Sequence, residues 1–68
     1  MTVEEARAAY KLNQNWTAME MVDGRIIFSH YDVDVIVRPD GTAYKSYWCL
    51  TLNSGHQPAQ TELTPEAT

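Results

Sequence analysis

The chain predicts an α+β fold: an N-terminal helix packed on one face of a four-stranded antiparallel β-meander, followed by a flexible C-terminal tail. Three observations point there. A helix-capping pattern opens the sequence, four strand-like runs follow it, and turn residues stand between those runs.

The helix comes first. Thr2 followed by Glu5 has the spacing of a capping box, in which hydroxyl and carboxylate each accept a backbone N–H of the first turn. Glu4 and Glu5 in the first turn and Lys11 near the last suit the helix dipole. Val3, Ala6, Ala9 and Tyr10 fall on one face, and Asn13-Gln14-Asn15 reads as the stop.

The strand-like runs are Trp16–Val22, Arg25–Ser29, Val33–Arg38 and Thr42–Leu52. Asp23-Gly24 reads as a two-residue hairpin turn, which sets Met21 opposite Ile26 and Met19 opposite Phe28. A two-residue loop at His30-Tyr31 sets Phe28 against Val33. Pro39-Asp40-Gly41 is a longer turn with glycine at a left-handed position, placing Arg38 opposite Thr42 and Val37 opposite Ala43.

Side chains alternate across a strand, so these registers sort the residues into two faces. The helix-facing set is Met19, Met21, Ile26, Phe28, Val33, Val35, Val37, Ala43, Tyr47 and Cys49, with Lys45 the one misfit, its stem able to snorkel. The opposite set is rich in large apolar and aromatic groups, with Trp16, Ile27, Ile36, Tyr44 and Trp48 among Glu20 and Asp34. From Gly55 the composition turns polar and proline-bearing. The expected division is one α+β domain over residues 1–54 and a flexible tail over 55–68.

Size and charge bound the function. A chain of 68 residues holds one domain and buries only about 60% of its extended surface, so self-association is an attractive source of stability. One cysteine, Cys49, allows no internal disulfide and, with no leader pattern, points to the cytoplasm. A net charge of −4 argues against binding a phosphate backbone, and no apolar run reaches the roughly 20 residues of a membrane span.

The chemistry-bearing residues do not form a motif. His30, Asp32, Asp34 and His56 lack the spacing of a metal site and read as turn and surface groups. Cys49 in an apolar strand reads as a small core hydrophobe rather than a nucleophile. A pocket of about 300 Å³ or more is not expected in so short a chain. The expectation is therefore no enzyme, no cofactor and no metal.

What remains is the second sheet face. Contiguous exposed apolar area marks interfaces, and Trp and Tyr dominate binding hot spots. The leading expectation is a small non-catalytic protein-interaction module, an inhibitor or adaptor, binding a protein partner of unidentified kind. Trp16, Tyr44 and Trp48 act as anchors, Ile27 and Ile36 as the apolar centre, and Glu20 and Asp34 as orienting charges. The alternatives are a homodimer built on that face and a weak single-stranded nucleic-acid binder stacking bases on Tyr44 and Trp48. The competing structural explanation is that the C-terminal segment folds back and covers the face.

Overall fold

The structure, a computed structural model, describes residues 1–51 and 55–65, with side chains described for 1–47 and 60–65. One helix, α1 (Val3–Tyr10), precedes five strands: β1 (Thr17–Glu20), β2 (Ile26–His30), β3 (Val33–Val37), β4 (Ala43–Thr51) and β5 (Gly55–Leu63). The strands form one antiparallel sheet in chain order, with β1 and β5 at its edges.

The helix forms for the reasons its sequence advertises. The Thr2 N–H donates to Glu5 Oε1 at 2.8 Å, and the Glu5 N–H donates to Thr2 Oγ1 at 3.1 Å. It ends before the asparagines: Lys11 turns left-handed at φ 55°, and the Leu12 N–H donates back to the Arg7 carbonyl at 2.9 Å. That closure drives Leu12 into the core, as the motif's hydrophobic contact requires.

Ala6, Tyr10 and Leu12 from the helical segment meet Ile26, Phe28, Val35, Val37 and Ala43 from the sheet. Val3, Ala9, Trp16, Ala18 and Leu63 pack around them. Phe28 and Val37 are the largest fully buried side chains. The Arg7 guanidinium lies 5.2 Å from the centre of the Phe28 ring and donates to the Asn13 carbonyl at 2.6 Å, so it lids the core and ties down the helix exit. Tyr10 donates its hydroxyl to the Gly41 carbonyl at 2.6 Å, pinning the β3–β4 loop to the helix. Among the described residues no helix is long and apolar enough to cross a membrane.

The β3–β4 register is the expected one, with Val37 opposite Ala43. The β2–β3 register is displaced by two residues: the loop is Tyr31-Asp32, His30 faces Val33, and Phe28 faces Val35 rather than Val33. A slip of two leaves every side chain on its expected face.

The first hairpin is different. Asp23-Gly24 is not a two-residue turn. The Met21 N–H donates to the Arg25 carbonyl at 2.7 Å and the Gly24 N–H to the Met21 carbonyl at 3.0 Å, enclosing a three-residue loop with Gly24 at φ 97°. Ala18 therefore faces Phe28 and Met19 faces Ile27. A displacement of one residue turns β1 over. Trp16 and Ala18 take the helix side, while Met19 goes to the other side and is 61% exposed.

The same loop recurs between β3 and β4. The Arg38 N–H donates to the Thr42 carbonyl at 2.7 Å and the Gly41 N–H to the Arg38 carbonyl at 2.9 Å, with Gly41 at φ 92°. In both loops the central aspartate accepts the N–H two residues on: Asp23 from Arg25 at 3.1 Å, Asp40 from Thr42 at 2.9 Å. The two loops touch, for a methyl group on Gly24 would come within 3.2 Å of Pro39 Cγ.

The remaining difference is β5. Gly55–Leu63, expected within a loose tail, pairs along β4 from Ala43↔Leu63 to Thr51↔Gly55 and brings the strand count to five. Leu63 packs against the core, and Lys45 lies on the helix-facing side between Val35 and Thr61.

Two substitutions test this packing. Tyr10→Phe removes one partly buried hydrogen bond and should lower unfolding free energy by about 1 kcal/mol. Gly24→Ala meets both a left-handed φ and Pro39, and should cost more than that, about 1–3 kcal/mol. Urea unfolding followed by circular dichroism checks both; a Gly24→Ala protein as stable as the original would contradict the loop geometry.

Candidate functional site

The candidate site is the sheet face opposite α1. Residues directly paired on antiparallel strands project to the same side, so the registers define cross-strand rows. One row is apolar: Met19, Ile27, Ile36 and Tyr44, ending at Glu62 on β5. The neighbouring row is polar: Thr17, Ser29, Asp34, Ser46 and Gln60. The face is thus banded, with a stripe of hydrocarbon beside a stripe of hydroxyls, one carboxylate and one amide.

Within the apolar row exposure is graded. Ile36, on the central strand between Ile27 and Tyr44, is 7% exposed although it lies outside the helix-side core. Ile27 and Tyr44 are half-buried, and Met19 at the β1 edge is open. Arg38 closes the opposite end. Its guanidinium sits 4.6 Å from the centre of the Tyr44 ring and grips Glu62 with two hydrogen bonds, of 2.9 and 2.8 Å. It also donates to Thr42 Oγ1 at 3.1 Å. Arg25, on the same side of the sheet, is held by Asp23 through a 2.8 Å ion pair. Asp34 is half-buried and makes no hydrogen bond or ion pair among the described residues.

These contacts set the charge states. The Arg38 guanidinium holds the Glu62 carboxyl below its usual range. The Thr42 hydroxyl and N–H do the same for Asp40, the Arg25 N–H for Asp23, and the Thr2 N–H for Glu5. Burial pushes the Tyr10 phenol up.

Of the seven residues expected to form the site, Ile27, Asp34, Ile36 and Tyr44 are brought together. Trp16 and Glu20 are not, because the turned-over β1 sends them to the helix side. Trp16 packs against the core edge with its ring centre 5.1 Å from that of His30, which in turn meets Tyr31 at 4.6 Å. Glu20 pairs with core-facing Ile26 and stays exposed at the sheet edge. The side chains of Trp48 and Cys49 lie outside the described residues. The backbone of Trp48 pairs with Pro58. The face gains Met19, Arg38 and Glu62. The signal for Met19 was only partial, since Val22-Asp23-Gly24 shares the Asp-Gly pair of Pro39-Asp40-Gly41 but lacks its proline. For Glu62 there was no signal short of knowing that β5 forms.

Among the described residues, two open hollows lie beside the sheet. One, of about 340 Å³, is lined by Asn15, Thr17, Ser29, His30 and Tyr31. The other, of about 460 Å³, lies beside the stacked loops and is lined by Met1, Glu20, Met21, Gly24, Arg25, Ile26 and Pro39. Both are surface hollows open to solvent rather than enclosed clefts. Among the described residues no three His, Cys, Asp or Glu side chains converge as metal ligands.

No family model, no curated protein and no solved structure matches this chain. The geometry of the face is what bears on function.

A pH dependence follows from the depressed carboxyls. Each binds its proton less readily folded than unfolded, so its contribution is present above the ordinary carboxylate range and is lost as pH falls through the folded value. Thermal midpoints should be level between neutrality and about pH 5 and fall below about pH 4. In a carboxyl NMR titration, Thr42→Ala should raise the Asp40 pKa and leave that of Asp23 where it was. An unmoved Asp40 would contradict the assigned cause.

Proposed function

We propose that the chain is a small non-catalytic protein-interaction module, an inhibitor or adaptor, that docks through the face opposite α1. The observation that carries this reading is the apolar row Met19–Ile27–Ile36–Tyr44, which crosses four strands on the side opposite α1. The C-terminal segment does not lie over that row across Gly55–Leu63. It extends the sheet beside β4.

The banding suits a protein partner. Tyr44 and Met19 supply contact area, Ile27 and Ile36 a firm apolar floor, and Asp34 a carboxylate free to take a hydrogen-bond donor or a cation. Arg25 and Arg38, the cations near the face, are each paired to a carboxylate. That leaves little free positive charge for a phosphate backbone and favours protein over single-stranded nucleic acid. The cytoplasm is the setting we propose, on the single cysteine.

The test is capture of the partner from the native host, followed by affinity measurement with purified components. Tyr44→Ala should weaken binding by about 2 kcal/mol, and Asp34→Ala by about 1 kcal/mol or more, with the thermal midpoint of each variant near that of the original. Unchanged affinity in both would remove this face as the binding surface.

A further inference from the structure

The two edges of the sheet are not alike. On β4 the Arg38–Thr42 hydrogen bond fixes the alternation: the N–H groups of Thr42, Tyr44, Ser46 and Trp48 turn toward β3, so on β5 positions 58, 60 and 62 address the open edge. One of those is Pro58, which has no N–H to offer. A proline facing outward is a standard means of blocking an edge.

The β1 edge has no such guard. The Met21–Arg25 hydrogen bond turns the N–H groups of Thr17 and Met19 toward β2 and those of Ala18 and Glu20 outward. Among the described residues neither outward N–H has a partner. Thr17–Glu20 contains no proline, lysine or bulge. Exposed hydrocarbon gathers here too: Met19 on the strand, Val22 at 108% exposure in the adjoining loop, and Met1 beside Met21 in the same hollow. These are three of the four large hydrophobic side chains exposed among the described residues.

We infer that β1 pairs antiparallel with β1 of a second copy of this chain, about a two-fold axis at Met19, to make one continuous ten-stranded sheet. In this register Met19 stands opposite the partner's Met19 as a non-hydrogen-bonded pair, the closer kind. Ala18 stands opposite the partner's Glu20, and both present outward N–H and C=O groups, so they exchange hydrogen bonds on each side of the axis. Glu20 meets alanine rather than its own copy, which avoids a like-charge cross-strand pair. The apolar row is then continued by its own image, from Tyr44 through Met19 to the partner's Tyr44. The pairing rests on the edge alone and stands whether or not the face opposite α1 binds another protein.

Sedimentation velocity across a concentration series tests it, with circular dichroism to show that each variant is folded. Glu20→Pro removes an outward N–H at an exposed position without touching the ladder to β2. Met19→Lys sets two ammonium groups together at the axis. Ser46→Arg alters the face opposite α1, away from the edge. The expected result is a concentration-dependent dimer in the original chain and in Ser46→Arg, with at least a tenfold weaker association in Glu20→Pro and Met19→Lys. A monomer at millimolar concentration overturns the inference, as does a dimer indifferent to the two edge variants. A dimer weakened only by Ser46→Arg also overturns it, by placing self-association on the face. Partner binding by a Glu20→Pro monomer would leave the functional proposal standing alone.

Discussion

Everything on both faces of the sheet depends on how the backbone turns at two aspartate-glycine pairs. In each loop the aspartate carboxylate takes the N–H two residues ahead, and the glycine supplies the left-handed step that returns the chain to its strand. The loops enclose three residues, an odd number, and the count decides which side chains meet the helix. A two-residue turn at Asp23-Gly24 would bury Met19 and expose Ala18. The loop that forms puts the small Ala18 beneath the helix beside Phe28 and leaves the long, flexible methionine for the solvent side.

From that constraint the core follows. Ala6 and Ala43 are fully buried where α1 covers the sheet, and Phe28 and Val37 are the largest side chains sealed there. Tyr10 then does two things with one side chain. Its ring completes the core and its hydroxyl holds the second loop, so helix position and β3–β4 register are coupled through a single hydrogen bond. The loops in turn lean on one another at Gly24 and Pro39. In so small a domain, where the buried fraction is modest, this coupling lets local turn chemistry contribute to global order.

Much of this was legible in the residues. The capping box, the helix face and the β3–β4 register could be read directly, because each rests on local chemistry with one reasonable outcome. The β2–β3 register differs from the expected one by two positions without consequence, since Val33, Val35 and Val37 are interchangeable in pattern and only parity matters to the core. The β1 error was of the other kind. Pro39 marks its loop as longer than two residues, while Val22 in the equivalent place gives no such mark, and an odd slip moved Trp16, Met19 and Glu20 across the sheet. β5 escaped notice for a different reason. Its sequence, with His56, Gln57, Pro58 and Gln60, lacks alternating hydrophobicity. As an edge strand it needs little more than the neighbouring β4 ladder, Leu63 in the core and the Glu62 grip on Arg38 to hold it.

That correction alters the candidate face. It loses a tryptophan and an edge carboxylate and becomes a narrow apolar stripe with a clamped cation at one end and a free methionine at the other. The most direct measurement is the pattern of Hα–Hα nuclear Overhauser effects between β1 and β2. Non-hydrogen-bonded partners bring their Hα atoms closest, so the three-residue loop predicts cross-peaks between Ala18 and Phe28 and between Glu20 and Ile26. Cross-peaks between Met19 and Phe28 instead would show the two-residue turn. They would return Met19 to the core and contradict the account of both faces.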